Sequence, residues 1–221
     1  MFGLAAGGKK QTMNRAVLFL LIAAGSACAQ DGWISLFDGK DFNGWKVNEN
    51  TSTFTIKDGA IVSHGPRSHC FYVGDVQNHN FKDFELSVDV MTEPGSNGGV
   101  YFDTEYQDSG WPAKGFEVQV NNTHSDPIKS GSLYHVKDIH ADTIKDLVKD
   151  NEWFTEDILV RGDTVTISLN GKQVVAWTQP ADWKGTSDFA GRRIGAGTIA
   201  LQGHDPNSTV HYKNIRIKLL P

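Results

Sequence analysis

Along several stretches of this chain polar and apolar residues alternate one by one, and that period of two constrains the fold more than any other feature. In Phe84-Glu85-Leu86-Ser87-Val88-Asp89-Val90 the even positions are apolar and the odd ones polar. Val165, Ile167 and Leu169 alternate with Thr164, Thr166 and Ser168, and Ile215, Ile217 and Leu219 with Asn214, Arg216 and Lys218. Successive side chains of a strand point to opposite faces, so each stretch predicts a half-buried strand. Asp58-Gly59, Gly162-Asp163 and Asn170-Gly171 mark hairpins, because such pairs tolerate the positive φ of tight turns whose twist matches the flanking strands. The last two bracket a hairpin series from Trp153 to Trp177. No long helical period appears, and only Asp142 to Lys149 predicts a short helix. Many short antiparallel strands predict an all-β fold, a single-domain antiparallel β-sandwich.

The 221 residues, 39% hydrophobic and 21% charged, suffice for one domain with a sizeable core. Residues 1–29 read as a signal peptide: Arg15 precedes the apolar run Ala16 to Ala24, and Ala27-Cys28-Ala29 offers a cleavage site. The run is too short to span a bilayer comfortably. Met13 offers an alternative start, since Met13-Asn14-Arg15 and the apolar run form a complete signal. The expected product is an exported, periplasmic domain over residues 30–221. A competing reading makes Cys28 a lipid anchor, although Gly25 stands where such signals usually carry leucine. After cleavage Cys70 is alone, so no internal disulfide is predicted, and it reads as a buried small hydrophobe. Formal charge is −5, and losing Lys9, Lys10 and Arg15 makes the balance more acidic. That argues against binding nucleic acid or anionic lipid through a general positive field.

Two long irregular stretches interrupt the pattern, Thr104 to Lys114 and Gln179 to Gly195. They carry Tyr106, Trp111, Lys114, Trp183, Asp188, Arg192 and Arg193, and loops of that length are seldom idle in a compact domain. The chemistry is expected on the non-core faces of the strands between them. If Phe116, Val118 and Val120 face the core, Glu117, Gln119 and Asn121 share the opposite face. By the same parity Tyr101 and Asp103 turn away from the core, as do Gln202 and His204. Amides, a carboxylate, a phenol and an imidazole at fixed spacing suit the hydroxyls of a sugar, and aromatic rings suit its apolar faces. The plain alternative is a sheet face that is simply wet, as antiparallel sheets often are. His64 with His69 and His135 with His140 lack the spacing to bring two rings to one metal, so no metal or other cofactor is predicted and metal dependence is left open.

These residues carry a resemblance. The run Leu36-Phe37-Asp38-Gly39-Lys40-Asp41-Phe42-Asn43-Gly44-Trp45 resembles the opening motif of the 3-keto-disaccharide hydrolase family, formerly the domain of unknown function 1080. Asn97-Gly98-Gly99-Val100, Gly115-Phe116-Glu117-Val118-Gln119, Gly131-Ser132-Leu133-Tyr134 and Leu201-Gln202-Gly203-His204 follow in the family's order, and the likeness runs from Trp33 to Leu219. It implies a concanavalin-like jelly roll acting on an oligosaccharide or other glycoside already oxidised at C3 by a separate sugar oxidoreductase. Such chemistry needs a base near C2, donors for an enolate oxygen and an acid for the leaving group. The expected proton-transfer pair is Glu117 and His204, with the division of labour open. Gln119, Gln202 and Tyr134 are expected to orient hydroxyls or the keto oxygen, Tyr101, Asp103 and Lys114 to line the rim, and Trp111 to contact the sugar. Three rival readings are a non-catalytic carbohydrate-binding module resting on Trp111 and Trp183, a structural or adhesive surface domain, and an ordinary glucan hydrolase using Glu117 with Asp103.

Overall fold

A computed structural model describes residues 1–3, 30–187 and 189–221. The apolar run and cleavage region of the expected signal peptide, Cys28 included, and Asp188 lie outside the described residues. The described chain is built from strands β1 (Trp33–Ser35), β2 (Trp45–Val47), β3 (Phe54–Lys57), β4 (Ala60–His64) and β5 (Ser68–Tyr72). These are followed by β6 (Phe84–Thr92), β7 (Gly98–Thr104), β8 (Phe116–Val120) and β9 (Phe154–Arg161). Strands β10 (Thr164–Leu169), β11 (Lys172–Thr178), β12 (Thr198–Gly203) and β13 (Thr209–Leu219) complete the set.

Two antiparallel sheets face each other. The larger has eight strands in the order β11-β10-β9-β6-β13-β4-β3, with β1 beside the far half of β13, and the smaller has five in the order β2-β5-β12-β7-β8. The fold is the expected β-sandwich, a jelly roll. The even positions Leu86, Val88 and Val90 and the odd positions Val165, Ile167 and Leu169 are fully buried, as their alternation predicts. The third alternating stretch holds as well, with Ile215 and Ile217 fully buried and Leu219 packed against the core. In β13 the inward residues are Val210 and Tyr212, then Ile215 and Ile217; a bulge between Lys213 and Arg216, with Asn214 at φ 49°, exchanges the faces. The hairpins fall where the turn dipeptides put them. Asp58 and Gly59 (φ 52° and 76°) join β3 to β4, and Asn170 and Gly171 (49° and 76°) join β10 to β11, both central residues being left-handed as a type I′ turn requires. The helix expected over Asp142 to Lys149 is one turn, Ala141–Ile144, and Ile144, Leu147 and Val148 pack against the core.

Burial alternates in β9 and β10 but not in the smaller sheet, where every residue of β5, β7, β8 and β12 is buried. One face of that sheet packs Cys70, Val100, Phe102, Val118, Val120 and Leu201 into the core. Its other face is therefore not a wet surface; loops cover it.

The core contains one anomaly. Glu156 shares the inward face of β9 with Phe154, Ile158 and Val160, is fully buried, and neither carboxyl oxygen has a partner among the described residues. Burial pushes its pKa well above the ordinary range, and the charge of Asp157 adds to the effect. The folded state thus keeps a proton that the unfolded chain gives up above its ordinary carboxylate pKa, so Glu156 makes stability fall as pH rises toward neutrality and beyond. Glu156→Met is expected to stabilise by about 1–3 kcal/mol, roughly 2–4 °C in Tm per kcal/mol for a domain of this size. Thermal melts should show a gain that grows with pH between about pH 5 and pH 8; an unchanged or lower Tm at both would contradict the account.

Candidate active site

Cross-strand register assembles the site. Glu117 of β8 lies opposite Tyr101 of β7, Tyr101 opposite Ala200 of β12, and Ala200 opposite Phe71 of β5. In the adjoining row Gln119 lies opposite Gly99, and Gln202 opposite His69. Gly99 leaves the gap the site needs: a Cβ there would stand 2.7 Å from Glu117 Oε1. Through that gap Gln202 Nε2 donates to Glu117 Oε1 at 2.8 Å and to the Tyr101 hydroxyl at 3.1 Å. The Tyr101 hydroxyl in turn donates to Glu117 Oε2 at 2.7 Å.

Glu117 is thereby fixed at both oxygens while almost fully buried. Burial raises its pKa; Arg192, the Tyr101 and Gln202 hydrogen bonds and His204 oppose the rise without cancelling it. Arg192 enters from the loop between β11 and β12, with Nη2 3.7 Å from Glu117 Oε2 and its guanidinium over the Phe189 ring at 4.2 Å. Trp183 anchors that loop, donating from Nε1 to the Arg192 carbonyl at 2.7 Å and packing on Trp177 at 5.1 Å. Trp183 thus braces the loop that carries Arg192 and is not among the residues that line the cleft.

Beyond the end of β12 the chain turns at His204-Asp205. His204 Nδ1 lies 2.7 Å from Asp205 Oδ2, which also accepts from Ser208 Oγ, while Asp205 Oδ1 accepts the Asn207 N–H. Burial works to raise the Asp205 pKa, but the bonds from His204, Ser208 and Asn207 outweigh it and hold the carboxyl below its usual value. An ionised carboxylate can only accept, so Nδ1 carries a hydrogen, and the neutral form of the ring has its lone pair on Nε2.

Glu117 and His204 line one cleft of about 200 Å³, together with Gln119, Gln202, Tyr101 and Tyr134. Asn97, Phe189 and the Trp111 ring close it; Trp111 is 39% exposed and its ring centroid lies 5.4 Å from that of His204. Several buried polar atoms around the cleft have no partner among the described residues: Gln119 Oε1, Gln202 Oε1, Asn97 Oδ1, and Arg192 Nε and Nη1. Leaving such groups unpaired is costly in a finished core and natural where a ligand completes the bonding. The arrangement offers acceptors and donors for hydroxyls, a carboxyl and an imidazole for proton transfer, and an aromatic wall.

Seven of the residues expected from the sequence meet here: Glu117, His204, Gln119, Gln202, Tyr134, Tyr101 and Trp111. Asp103 and Lys114 do not. Asp103 adopts a left-handed φ of 54° near the end of β7, and its carboxyl turns away to accept the Gly195 N–H at 3.0 Å, where burial raises its pKa to about 7. Lys114 donates to the Ala196 carbonyl at 3.2 Å and pairs with Glu105. Asn121 shares the strand parity of Glu117 but spends its amide on the carbonyls of Asp126 and Ile128. Asn97 and Phe189 line the cleft, and Arg192, Asp205 and His69 stand against residues that do, without having been expected there from the sequence. His69 is fully buried beside Tyr101 (ring centroids 5.4 Å apart) and Trp111 (5.6 Å), and burial lowers its pKa to about 3, so it packs as a neutral ring. Its two-residue offset from Phe71, on the face opposite Cys70, was the signal that could have found it.

Residues 32–218 match the model of the 3-keto-alpha-glucoside-1,2-lyase-like domain. A 3-keto-disaccharide hydrolase of Bacteroides thetaiotaomicron is 29% identical, the alignment covering 86% of this chain and 79% of that protein. The crystal structure of a candidate glycosyl hydrolase from Parabacteroides distasonis is similar with a TM-score of 0.71 at 24% identity, over 86% of this chain and 94% of the other. A β-glucanase of Bacillus licheniformis shares the fold at a TM-score of 0.54 and 11% identity, over 87% of this chain and all of its own.

Proposed function

The chain belongs to the 3-keto-alpha-glucoside-1,2-lyase-like family, and from that premise we propose that it cleaves 3-keto-glycosides by elimination followed by addition of water. The observation that carries this reading is the composition of the cleft: an imidazole oriented by a carboxylate faces it together with one buried carboxyl, Glu117. An ordinary glycosidase uses two carboxyl groups flanking the scissile bond. Among the described residues that line the cleft Glu117 is the sole carboxyl, and Asp103, its expected partner for that chemistry, is turned elsewhere.

A ketone at C3 acidifies the proton on C2. His204 Nε2 takes that proton, leaving an enolate whose C3 oxygen is stabilised by donors such as Arg192, the Tyr134 hydroxyl or the Gln119 amide. The enolate collapses to a C1–C2 double bond conjugated with the ketone, and the bond from C1 to the aglycone oxygen breaks. Glu117, kept protonated to higher pH by its burial, gives that oxygen its proton. In the second half the Glu117 carboxylate removes a proton from water as the oxygen adds to C1, and the His204 imidazolium returns a proton to C2. The sum is hydrolysis, with both groups restored. The substrate would come from a sugar 3-oxidoreductase acting beforehand.

The test is incubation of the purified chain with a 3-keto-glucoside and, separately, with the same unoxidised glucoside. Aglycone release from the ketone alone is the expected result. Release from both at similar rates would point to ordinary glycosidase chemistry, and retention of intact sugar without release would make the protein a binding module.

A further inference from the structure

Away from the core, the covered face of the smaller sheet continues past the cleft. Tyr101 and Gln202 line the cleft, and Thr104 and Thr198, three and four residues along the same paired strands, line a second hollow of about 270 Å³. At about 3.3 Å per residue the two lie on the order of 10–13 Å apart. Tyr106 stands between them: its ring lies 5.3 Å from that of Phe71, which packs with Tyr101 and Ala200, and it also forms a wall of the second hollow. One loop therefore serves both places, with Trp111 at the cleft and Glu105 and Tyr106 at the hollow.

The hollow is furnished for hydrogen bonding. Asn78, His79 and Asn80 form one side, Lys114 and Glu105 pair on the other, and Thr104 Oγ1 is buried in it without a partner among the described residues. The backbone of the first side is unusual. Gln77, Asn78 and His79 are left-handed in succession, with φ of 50°, 51° and 47°. Glycine reaches this region without the Cβ crowding that other residues meet, so Asn78 and His79, the two of the three that line the hollow, are held there against the backbone's preference. Strain of this kind is stored where side chains must be presented to a ligand. The Lys114 and Glu105 charges balance in the lining of the hollow, which suits a neutral polyhydroxyl ligand over an ionic one.

We propose that this hollow is a second carbohydrate subsite, which receives sugar units of the leaving group when the substrate is an oligosaccharide longer than a disaccharide. The proposal rests on the cleft being the place where the glycoside is cut. It is tested by calorimetric titration with unoxidised gluco-oligosaccharides, which need no turnover. Affinity is expected to rise about tenfold from disaccharide to tetrasaccharide. Asn78→Gly, which keeps the left-handed turn, and Asn80→Ala should each abolish that gain while leaving disaccharide affinity and 3-keto-disaccharide turnover unchanged. Affinity independent of length, or a length gain that survives both substitutions, overturns the proposal. Failure to cleave any 3-keto-glycoside, with the length gain present and lost in both variants, would instead sink the reading of the cleft and leave the hollow as a glycan-binding site.

Discussion

Glu117→Gln is expected to lower turnover of a 3-keto-disaccharide on the order of 10²–10⁴-fold, and to do much less harm with an aryl 3-keto-glucoside. Glutamine has the same shape and can still accept from the Tyr101 hydroxyl, and a flipped Gln202 amide can accept from the new NH₂ through its otherwise unpartnered Oε1, so the cleft should persist. What it lacks is a proton to give. A sugar leaves as a basic alkoxide that needs protonation, whereas a nitrophenolate departs unaided, and the two substrates therefore separate acid catalysis from mere positioning. The pH profile carries the same signature. Burial raises the Glu117 pKa, so the acid form persists above the usual carboxylate range and is lost as pH climbs through the shifted value. The alkaline limb should appear with the disaccharide and be absent with the aryl substrate. Equal losses for the two leaving groups would assign Glu117 to holding Arg192 and Tyr101 in place, and full activity would remove it from the mechanism.

The part of the site that lies on strands was legible in the sequence because side-chain direction there is fixed by position alone. Once Phe116 and Val118 are assigned to the core, Glu117 and Gln119 follow, and the same parity delivers Tyr101 and Gln202. Parity fails at the ends of strands. Asp103 obeys the alternation on paper, but its left-handed φ redirects the carboxyl to Gly195, a choice made by a loop some ninety residues later in the chain. Arg192 stood out in the sequence only as part of a loop unlikely to be idle: its place over Phe189 and beside Glu117 depends on a loop held by Trp183 against Trp177, a contact no local pattern announces. Glu156 is the converse case. Its alternation in β9 puts it in the core as plainly as Ile158, and only its charge argued against reading it so. The polar face looked like a question of wet or dry; the loops answer it by burying the carboxyl, which is what raises its pKa.

Asp205→Asn should be nearly as damaging as loss of His204 itself, with turnover falling on the order of 10²–10⁴-fold for both leaving groups. The Asn207 N–H donates to Oδ1, so an asparagine must keep its oxygen there and place its NH₂ where Oδ2 now meets His204. Facing a donor, Nδ1 becomes the acceptor, the hydrogen moves to Nε2, and the nitrogen turned to the substrate can no longer take a proton. Ser208 can accept from the new NH₂ in place of donating, so folding is expected to survive. The step affected is C2 deprotonation, which can be watched without cleavage as exchange of the C2 hydrogen in D₂O by NMR. Asp205→Asn should abolish that exchange, while Glu117→Gln should keep it and block only departure of the aglycone. The two substitutions thus dissect the reaction into its halves. Undiminished exchange in Asp205→Asn would take the base away from His204, and loss of exchange in both variants would mean that proton removal and bond cleavage are concerted at one centre.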